Sequence, residues 1–245
     1  MNIAAVAGYL GAGIGMGLSA IGSAVGEGHA AGRTLEGIAR QPAVRESLVR
    51  NMLIGQAIAE TPGIFALVVA VLLIFSAGSS ESWVRAAALL GAGLSVGTGA
   101  LGSAVGCGAI GGSAVAASSR NPARTGNSLR MMIFAQALCQ STVVYALVVA
   151  LILWGIGREG VQTAATLVEQ IPRAAALLGA GFCMGFGAVG PAIGTGEAGA
   201  AAAEGVTLYP DGETPVTRTF LVGAAVSQTT AVYALVVALI LMFAV

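Results

Sequence analysis

The chain has 245 residues, of which 56% are hydrophobic and only 9% charged, whereas a soluble globular domain usually carries about 25% charged residues. Its 11 basic residues, all arginine, balance 11 acidic residues, so no basic field is available for a nucleic-acid backbone. The 37 glycines follow no Gly-X-Y period and are accompanied by only 7 prolines, which excludes collagen. The mean hydropathy of +0.88 therefore predicts a membrane protein with several spans.

Six apolar stretches are long enough to cross the hydrocarbon core of a bilayer, which takes about 20 residues of helix. They lie near residues 3–31, 51–77, 84–117, 129–156, 173–203 and 219–245. The chain begins without the positive region and cleavage site of a signal peptide, so we expect the first stretch to be a retained spanning helix. The three cysteines have no paired spacing, and we interpret them as packing residues rather than disulfide or zinc ligands.

The sequence repeats itself three times. A Gly-Ala-Gly triplet and an Ala-Leu-Val-Val-Ala segment recur with the same two steps, of 80 and then 88 residues; they begin at Gly11, Gly91 and Gly179, and at Ala66, Ala146 and Ala234. Self-similarity at a fixed period indicates a repeated structural unit. The predicted units are three helical hairpins, residues 1–80, 81–160 and 161–245, and the eight extra residues fall between the second and third, around residues 155–173.

The first helix of each hairpin carries the glycines, at positions that recur with the same steps. Small residues let helix backbones approach closely in lipid, where the hydrophobic effect does not drive helix association. We expect these glycine-rich helices to form a tight inner layer and the Leu, Val and Ile-rich second helices to form an outer, lipid-facing layer. Ordinary packing by small residues in a helical bundle remains the simpler interpretation of the glycines alone.

Arginine placement predicts the orientation. The loops inside the hairpins hold eight arginines, the linkers between hairpins hold three, and the termini hold none. Because cytoplasmic loops carry the excess of basic residues, we expect the hairpin loops in the cytoplasm and both termini outside.

Two charges, Glu27 and Glu60, are the ones we place well inside the predicted spans. A turn at Gln41-Pro42-Ala43 would bring them to a similar depth, and an ionisable side chain at such depth indicates a functional site. Two carboxylates in one apolar site can share a proton or, with further oxygens, hold a hard cation.

Three neighbours of Glu60 supply further polar groups. Thr61 has a hydroxyl, Gln56 lies one helical turn away, and the missing N–H of Pro62 frees the carbonyl of Ile58. The single histidine, His29, we interpret as an interfacial residue. We find no catalytic triad, phosphate-binding loop or paired-cysteine motif, so we expect no catalytic residue and no cofactor on this chain.

Three segments of the first hairpin resemble the c-subunit, or proteolipid, of F-type rotary ATP synthases. They are Gly26-Glu27-Gly28-His29-Ala30-Ala31-Gly32, Glu36-Gly37-Ile38-Ala39-Arg40-Gln41-Pro42 and Gly55-Gln56-Ala57-Ile58-Ala59-Glu60-Thr61. The second hairpin keeps the helix pattern with a decayed loop, Arg120-Asn121-Pro122, and the third has lost the loop signature.

The resemblance implies an all-α membrane protein that assembles into a two-layered ring and carries H+ or Na+ on Glu60. Glu27 takes the position where sodium-binding members usually have Gln, and Thr61 takes that of their Ser or Thr. The family's tyrosine is kept at Tyr145 and Tyr233. Because such sites lie between adjacent hairpins, Ser141 or Thr229 would complete the site from a neighbour.

The resemblance also implies partners and a location. A stator arginine of the a-subunit would meet Glu60, and the loop residues Arg40, Gln41 and Pro42 would contact the gamma and epsilon subunits of the central stalk. Membrane lipid would surround the ring, and the location would be a bacterial inner membrane.

The chain departs from the family pattern at the carboxylate. Gln140 and Gln228 replace Glu60 in the second and third hairpins, and Cys107 and Thr195 replace Glu27. Because Gln cannot titrate or neutralise a cation, one chain offers one ion site for three hairpins. We therefore expect a low ion-to-ATP ratio, which suits an ATP-driven pump that builds a steep gradient.

Two alternatives stay open. A vacuolar or archaeal-type proteolipid also uses fused hairpins, although the Arg-Gln-Pro loop favours the F-type branch. A secondary transporter built from parallel repeats would need a substrate site at the repeat interface, which the single charged site fits poorly. The choice between H+ and Na+, the number of chains in a ring, and the direction of the motor are not determined by the sequence.

Overall fold

The computed structural model describes residues 2–76, 82–159 and 167–244. Its helices are α1 (Ile3–Arg40), α2 (Arg45–Ser76), α3 (Trp83–Arg120), α4 (Thr125–Cys139), α5 (Ser141–Glu159), α6 (Leu167–Leu208) and α7 (Glu213–Phe243). Short 3₁₀ turns at Pro42–Val44, Pro122–Arg124 and Pro210–Gly212 connect the two helices of each hairpin. With α4 and α5 counted as one span interrupted at Gln140, the described residues contain 6 helices long and apolar enough to cross a membrane. The predicted all-α fold of three tandem hairpins is confirmed.

The helices are longer than the predicted spans. In the first hairpin α1 continues to Arg40 and α2 begins at Arg45, because helical hydrogen bonding does not stop where the apolar run ends. The turn lies where the sequence places it: Gln41 precedes a proline, which disfavours helical backbone at that residue, and Pro42 then opens the next turn. The predicted linker insertion lies partly in residues 160–166, outside the described ranges.

The glycine-rich helices α1, α3 and α6 form the inner layer, with α3 packed between the other two. Their backbones come so close that side chains would not fit. A Cβ atom added at Gly97 would lie 2.6 Å from the Cα of Gly15, and one added at Gly196 would lie 2.5 Å from the Cα of Gly106. The predicted role of the glycines in close helix packing is confirmed.

The outer layer consists of α2, the α4–α5 span and α7, each packed against the inner helix of its own hairpin. Leucine and methionine side chains between the layers are fully buried, among them Leu73, Leu89, Leu153 and Met242. Many large apolar side chains on the outer helices are exposed, as expected for a surface in contact with lipid. The result is a two-layered row of three hairpins with two open edges, α1 and α2 at one and α6 and α7 at the other.

Candidate functional site

The two predicted carboxylates lie together at the open edge formed by α1 and α2. Glu27 and Glu60 line one groove of about 310 Å³, whose other walls come mostly from apolar side chains and glycine. Glu60 is exposed at this edge and Glu27 is half-buried. The first hairpin thus places two ionisable groups in one apolar groove on helices that are long and apolar enough to cross a membrane, where such groups are costly and usually functional.

Two serine hydroxyls lie behind the carboxylates, and we did not identify them from the sequence. Ser19 and Ser23 are two turns and one turn before Glu27 on α1, and their Oγ atoms are buried without a hydrogen-bond partner among the described residues. Ser23 also lines the groove, beside Gly63, where an added Cβ would be 3.1 Å from its Oγ. The i, i+4, i+8 spacing of Ser19, Ser23 and Glu27 is the signal that would have revealed this polar face.

The other predicted neighbours of Glu60 are engaged with backbone. Gln56 donates from Nε2 to the carbonyl oxygen of Glu27 at 3.0 Å, so it ties α2 to α1 beside the groove. The Thr61 hydroxyl donates to the carbonyl of Ala57, one turn earlier, at 3.3 Å.

The carbonyl of Ile58, which we expected to serve the site at Glu60, is hydrogen-bonded to the second hairpin. It accepts a hydrogen bond of 2.5 Å from Nε2 of Gln140 in the second hairpin. Pro62 does free this oxygen from its helical partner, but the neighbouring hairpin uses it.

The third hairpin repeats this contact against the second. Gln228 donates from Nε2 to the carbonyl of Leu138 at 2.7 Å, and its Oε1 accepts from the hydroxyl of Ser141 at 2.7 Å. Ser141, one of the two hydroxyls expected to complete the site at Glu60, is therefore engaged with the third hairpin inside the chain. The equivalent hydroxyl of Thr229 lies at the open edge of α7, where it donates to the carbonyl of Val226 at 2.6 Å.

The two tyrosines differ in the same way. Tyr145 packs against the main hydrophobic core, whereas Tyr233 is 66% exposed on α7. The positions that correspond to Glu27 hold no carboxylate: Cys107 is buried, with its carbonyl accepting from Gln136 at 2.9 Å, and Thr195 is buried as well.

A third acidic residue lies within the predicted spans, which corrects our count of two. Glu197 is exposed on α6 at the repeat position of His29, two residues beyond the position of Glu27. His29 lies across Gly112 of α3, where an added Cβ would be 2.7 Å from its Cδ2. The sequence reasoning missed Glu197 because it followed the Glu27 and Glu60 positions alone.

Ion pairs join the loop ends of the second and third hairpins, whereas the pair near the first loop lies within one helix. Arg40 lies 3.9 Å from Glu36 of its own helix, and both are exposed, while Gln41 donates its N–H to the carbonyl of Gly37 at 2.9 Å. The loop of the second hairpin contacts the third: Arg120 pairs with Glu204 at 2.8 Å and Arg124 with Glu213 at 2.5 Å.

The groove can hold a proton or a small hard cation on its carboxylates. Within the described residues no group of three or more His, Cys, Asp or Glu side chains could bind a metal ion. Further oxygen atoms for a cation would have to come from hydroxyls and backbone carbonyls, in keeping with oxygen-ligated ions.

Comparison with known proteins matches the chain to the family model of the ATP synthase C-subunit three times, over residues 10–73, 90–153 and 178–241. The ATP synthase c-subunit of Natranaerobius thermophilus is 44% identical over 75 residues, 31% of this chain and 86% of the relative. The ATP synthase c-subunit 2 of Cereibacter sphaeroides is 47% identical over 78 residues, 32% of this chain and 94% of the relative. About a third of this chain thus matches nearly the whole of each relative.

Proposed function

The chain belongs to the ATP synthase C-subunit family, and from this membership we propose that it forms a rotor ring with further copies of itself and carries one ion per chain on Glu60. The family and the six apolar helices make it an integral membrane protein of the c-ring. The observation that carries the proposal is the position of Glu60, which faces a groove at an open edge while both glutamines at its repeat positions are bonded inside the chain.

The two open edges are complementary. Gly93, Gly97 and Gly108 of α3 pack against α1, whereas at the equivalent positions of α1, Gly13, Gly17 and Gly28, an added Cβ meets no described atom within 4 Å. Gly102 packs against α6 through a Cβ position 2.7 Å from Val189, and its equivalent Gly190 is likewise open within the described part of the chain. The free face of α6 thus fits the free face of α1 in a second copy, a heterologous contact of the kind that generates rings.

The internal joints also indicate how a second copy completes the ion site. Gln140 meets Ile58, and Gln228 meets Leu138 and Ser141. At the joint between copies, the equivalent partners of Glu60 are the carbonyl of Val226 and the hydroxyl of Thr229 in the neighbouring copy. Together with Glu27 and Ser23, which line the groove, these oxygens form the ligand set that we propose for H+ or Na+.

One ion site for three hairpins determines the proposed ion-to-ATP ratio. Gln140 and Gln228 cannot titrate, so a ring of this chain would carry about a third of the ions of a one-hairpin ring of equal girth. Fewer ions per turn leave more of the energy of ATP hydrolysis to each ion, which favours an ATP-driven pump over synthesis.

The remaining assignments follow from the family. An arginine of the a-subunit would face Glu60 as the ring turns, and lipid would cover the outer helices. Arg40, Gln41 and Pro42, in an exposed turn, would meet the gamma and epsilon subunits of the central stalk. The loops would lie in the cytoplasm and the termini outside a bacterial inner membrane.

Carbodiimide labelling of the detergent-solubilised ring tests the ion site. We expect one labelled carboxyl per chain, at Glu60, and protection by Na+ near neutral pH identifies sodium as the ion, whereas indifference to Na+ at every pH identifies protons. Labelling that spares Glu60 would overturn the assignment. An ion-to-ATP ratio typical of rings with one carboxylate per hairpin would overturn the proposed low ratio.

A further inference from the structure

A glutamine on the outer layer joins the first two hairpins. Gln136 donates from Nε2 to the carbonyl of Gly55 in the preceding hairpin at 3.0 Å and to the carbonyl of Cys107 in its own hairpin at 2.9 Å. One turn earlier, the fully buried Met132 lies over Gly55, where an added Cβ would be 3.1 Å from its Sδ. This glutamine and this methionine together fill the space between two adjacent hairpins.

The same pair recurs at the open edge of α2 as Gln56 and Met52. Gln56 already makes the bond within its hairpin, to the carbonyl of Glu27 at 3.0 Å. The position equivalent to Gly55 at the other edge is Gly223 of α7, where an added Cβ meets no described atom within 4 Å. Gly223 lines an apolar groove of about 540 Å³ between α6 and α7, so the receiving surface is uncovered in a single chain.

On the inner layer, the two edges carry complementary polar groups at one repeat position. His29 of α1 and Glu197 of α6 occupy this position, and in the middle hairpin it is Ala109. His29 lies against Gly112 of the next inner helix, so Glu197 would lie against the equivalent residue of a second copy, Gly32. Gly32 is one turn from His29 of that copy, whereas Arg33 is already paired with Glu36 at 3.2 Å.

We propose that copies of this chain join through two contacts between opposite edges of the chain: a carboxylate–imidazole hydrogen bond donated by His29, turned from Gly112 of its own chain, to Glu197 of the neighbouring copy, and a hydrogen bond from Gln56 to the carbonyl of Gly223 in that neighbour. Met52 fills the groove beside Gly223, as Met132 fills the space over Gly55. The inference rests on the proposed ring and specifies its joint. His29 and Glu197 occupy one repeat position in the first and third hairpins, and the middle hairpin has Ala109 there. An acid and a base so placed meet only between chains. The pair therefore also determines which edge of one copy contacts which edge of the next.

A charge-swap series tests the inner contact. In His29→Glu, two carboxylates face each other across the joint, and we expect the fraction of intact ring in native mass spectra to fall about tenfold or more. The double variant His29→Glu with Glu197→His restores the pair and is expected to restore the ring. Glu204→Gln, which removes an ion pair within the chain, is the control and should leave the ring fraction unchanged.

The outer contact has a matched pair of variants. Gln56→Ala removes the bond between copies and should lower the temperature at which the ring dissociates. Gln136→Ala removes the equivalent bond between two hairpins of one chain. Because the chain still joins those hairpins, this variant should leave the dissociation temperature unchanged. Failure of the double swap to restore the ring, or equal effects of Gln56→Ala and Gln136→Ala, would overturn the proposed joint. Absence of any ring in the unmodified protein would instead overturn the proposed function.

Discussion

Gln140 and Gln228 each donate a hydrogen bond to a backbone carbonyl of the preceding hairpin, whereas Glu60, at the same position of the first hairpin, faces an open groove. The three side chains have nearly the same size and sit at the same repeat position. They differ in charge and in hydrogen bonding, because an amide is neutral and carries donor hydrogens, whereas an ionised carboxylate is negative and only accepts.

In the proposed ring, that difference would give the ion a structural role. At an internal joint the amide N–H bridges to a carbonyl without any added group. At the joint between copies, an ionised Glu60 would face the carbonyl of Val226, so two acceptors would meet. A bound proton or cation supplies the missing positive partner, and its arrival and departure can therefore make and break the contact. In the proposed ring, the internal glutamine joints need no added group, whereas the carboxylate joint would depend on the ion.

Glu60→Gln should produce the largest effect, because it turns the third joint into a copy of the other two. We expect ATP-driven ion transport in reconstituted vesicles to be lost, since Gln cannot exchange a proton or neutralise a cation. The ring itself should dissociate at the same or a higher temperature than the unmodified ring. Transport that survives this substitution would contradict the assignment of Glu60.

Leucine substitutions at two equivalent glycines compare the open edge with an internal joint. Gly17→Leu, at the edge, should leave the helix content of the single chain unchanged and abolish the ring. Gly97→Leu, at a Cβ position 2.6 Å from the backbone of Gly15, should destabilise the single chain, where overpacking typically costs about 1–3 kcal/mol. Circular dichroism on heating and native mass spectrometry separate the two outcomes. Equal loss of chain stability in both variants would argue against an open edge at Gly17.

The sequence was sufficient for the hairpins and for the layer that each helix occupies. The steps of 80 and 88 residues identify equivalent positions, and the glycine face of α1 is repeated closely enough to predict its packing. The pairing of hydroxyls was not predictable, because Ser141 and Thr229 occupy equivalent positions and only their neighbours distinguish them. Ser141 meets Gln228, whereas Thr229 is at an edge.

Other features lacked a sequence signal. The break between α4 and α5 at Gln140 has no glycine or proline beside it, and hydrogen bonds of helical spacing run across it, from Gln140 to Gln136 and from Val144 to Gln140. The helices extend past the predicted spans because hydropathy marks the apolar core of a helix and not its hydrogen-bonded ends. Pro62 correctly indicated a free carbonyl at Ile58, but which hairpin uses that carbonyl depends on packing between repeats.

Thr229→Ala and Ser141→Ala separate the ion site from an internal joint with the same chemistry. Thr229→Ala should shift the half-labelling point of Glu60 by carbodiimide about fivefold in ion concentration, the effect of losing roughly 1 kcal/mol of hydrogen bonding. Ser141→Ala removes the bond to Gln228 and should leave that half-labelling point unchanged. A shift with Ser141→Ala and none with Thr229→Ala would reverse the assignment of the neighbour.

Gln228→Glu should produce the smallest of these effects, about a twofold change in the number of labelled carboxyls per chain. It compares an internal joint most directly with the joint at Glu60. Its carboxylate would face the carbonyl of Leu138 and the hydroxyl of Ser141, the same kinds of group that we propose Val226 and Thr229 of a neighbouring copy offer to Glu60. We expect the labelled carboxyls to rise from one to about two per chain, and the ion-to-ATP ratio to double, because a protonated or ion-bound carboxylate can take the place of the amide. In the double variant with Glu60→Gln the count should return to one, now at residue 228. If residue 228 stays unlabelled in both variants, an ion site needs a second carboxylate. Glu27 supplies that carboxylate in the first hairpin, whereas the third hairpin has Thr195 at the equivalent position.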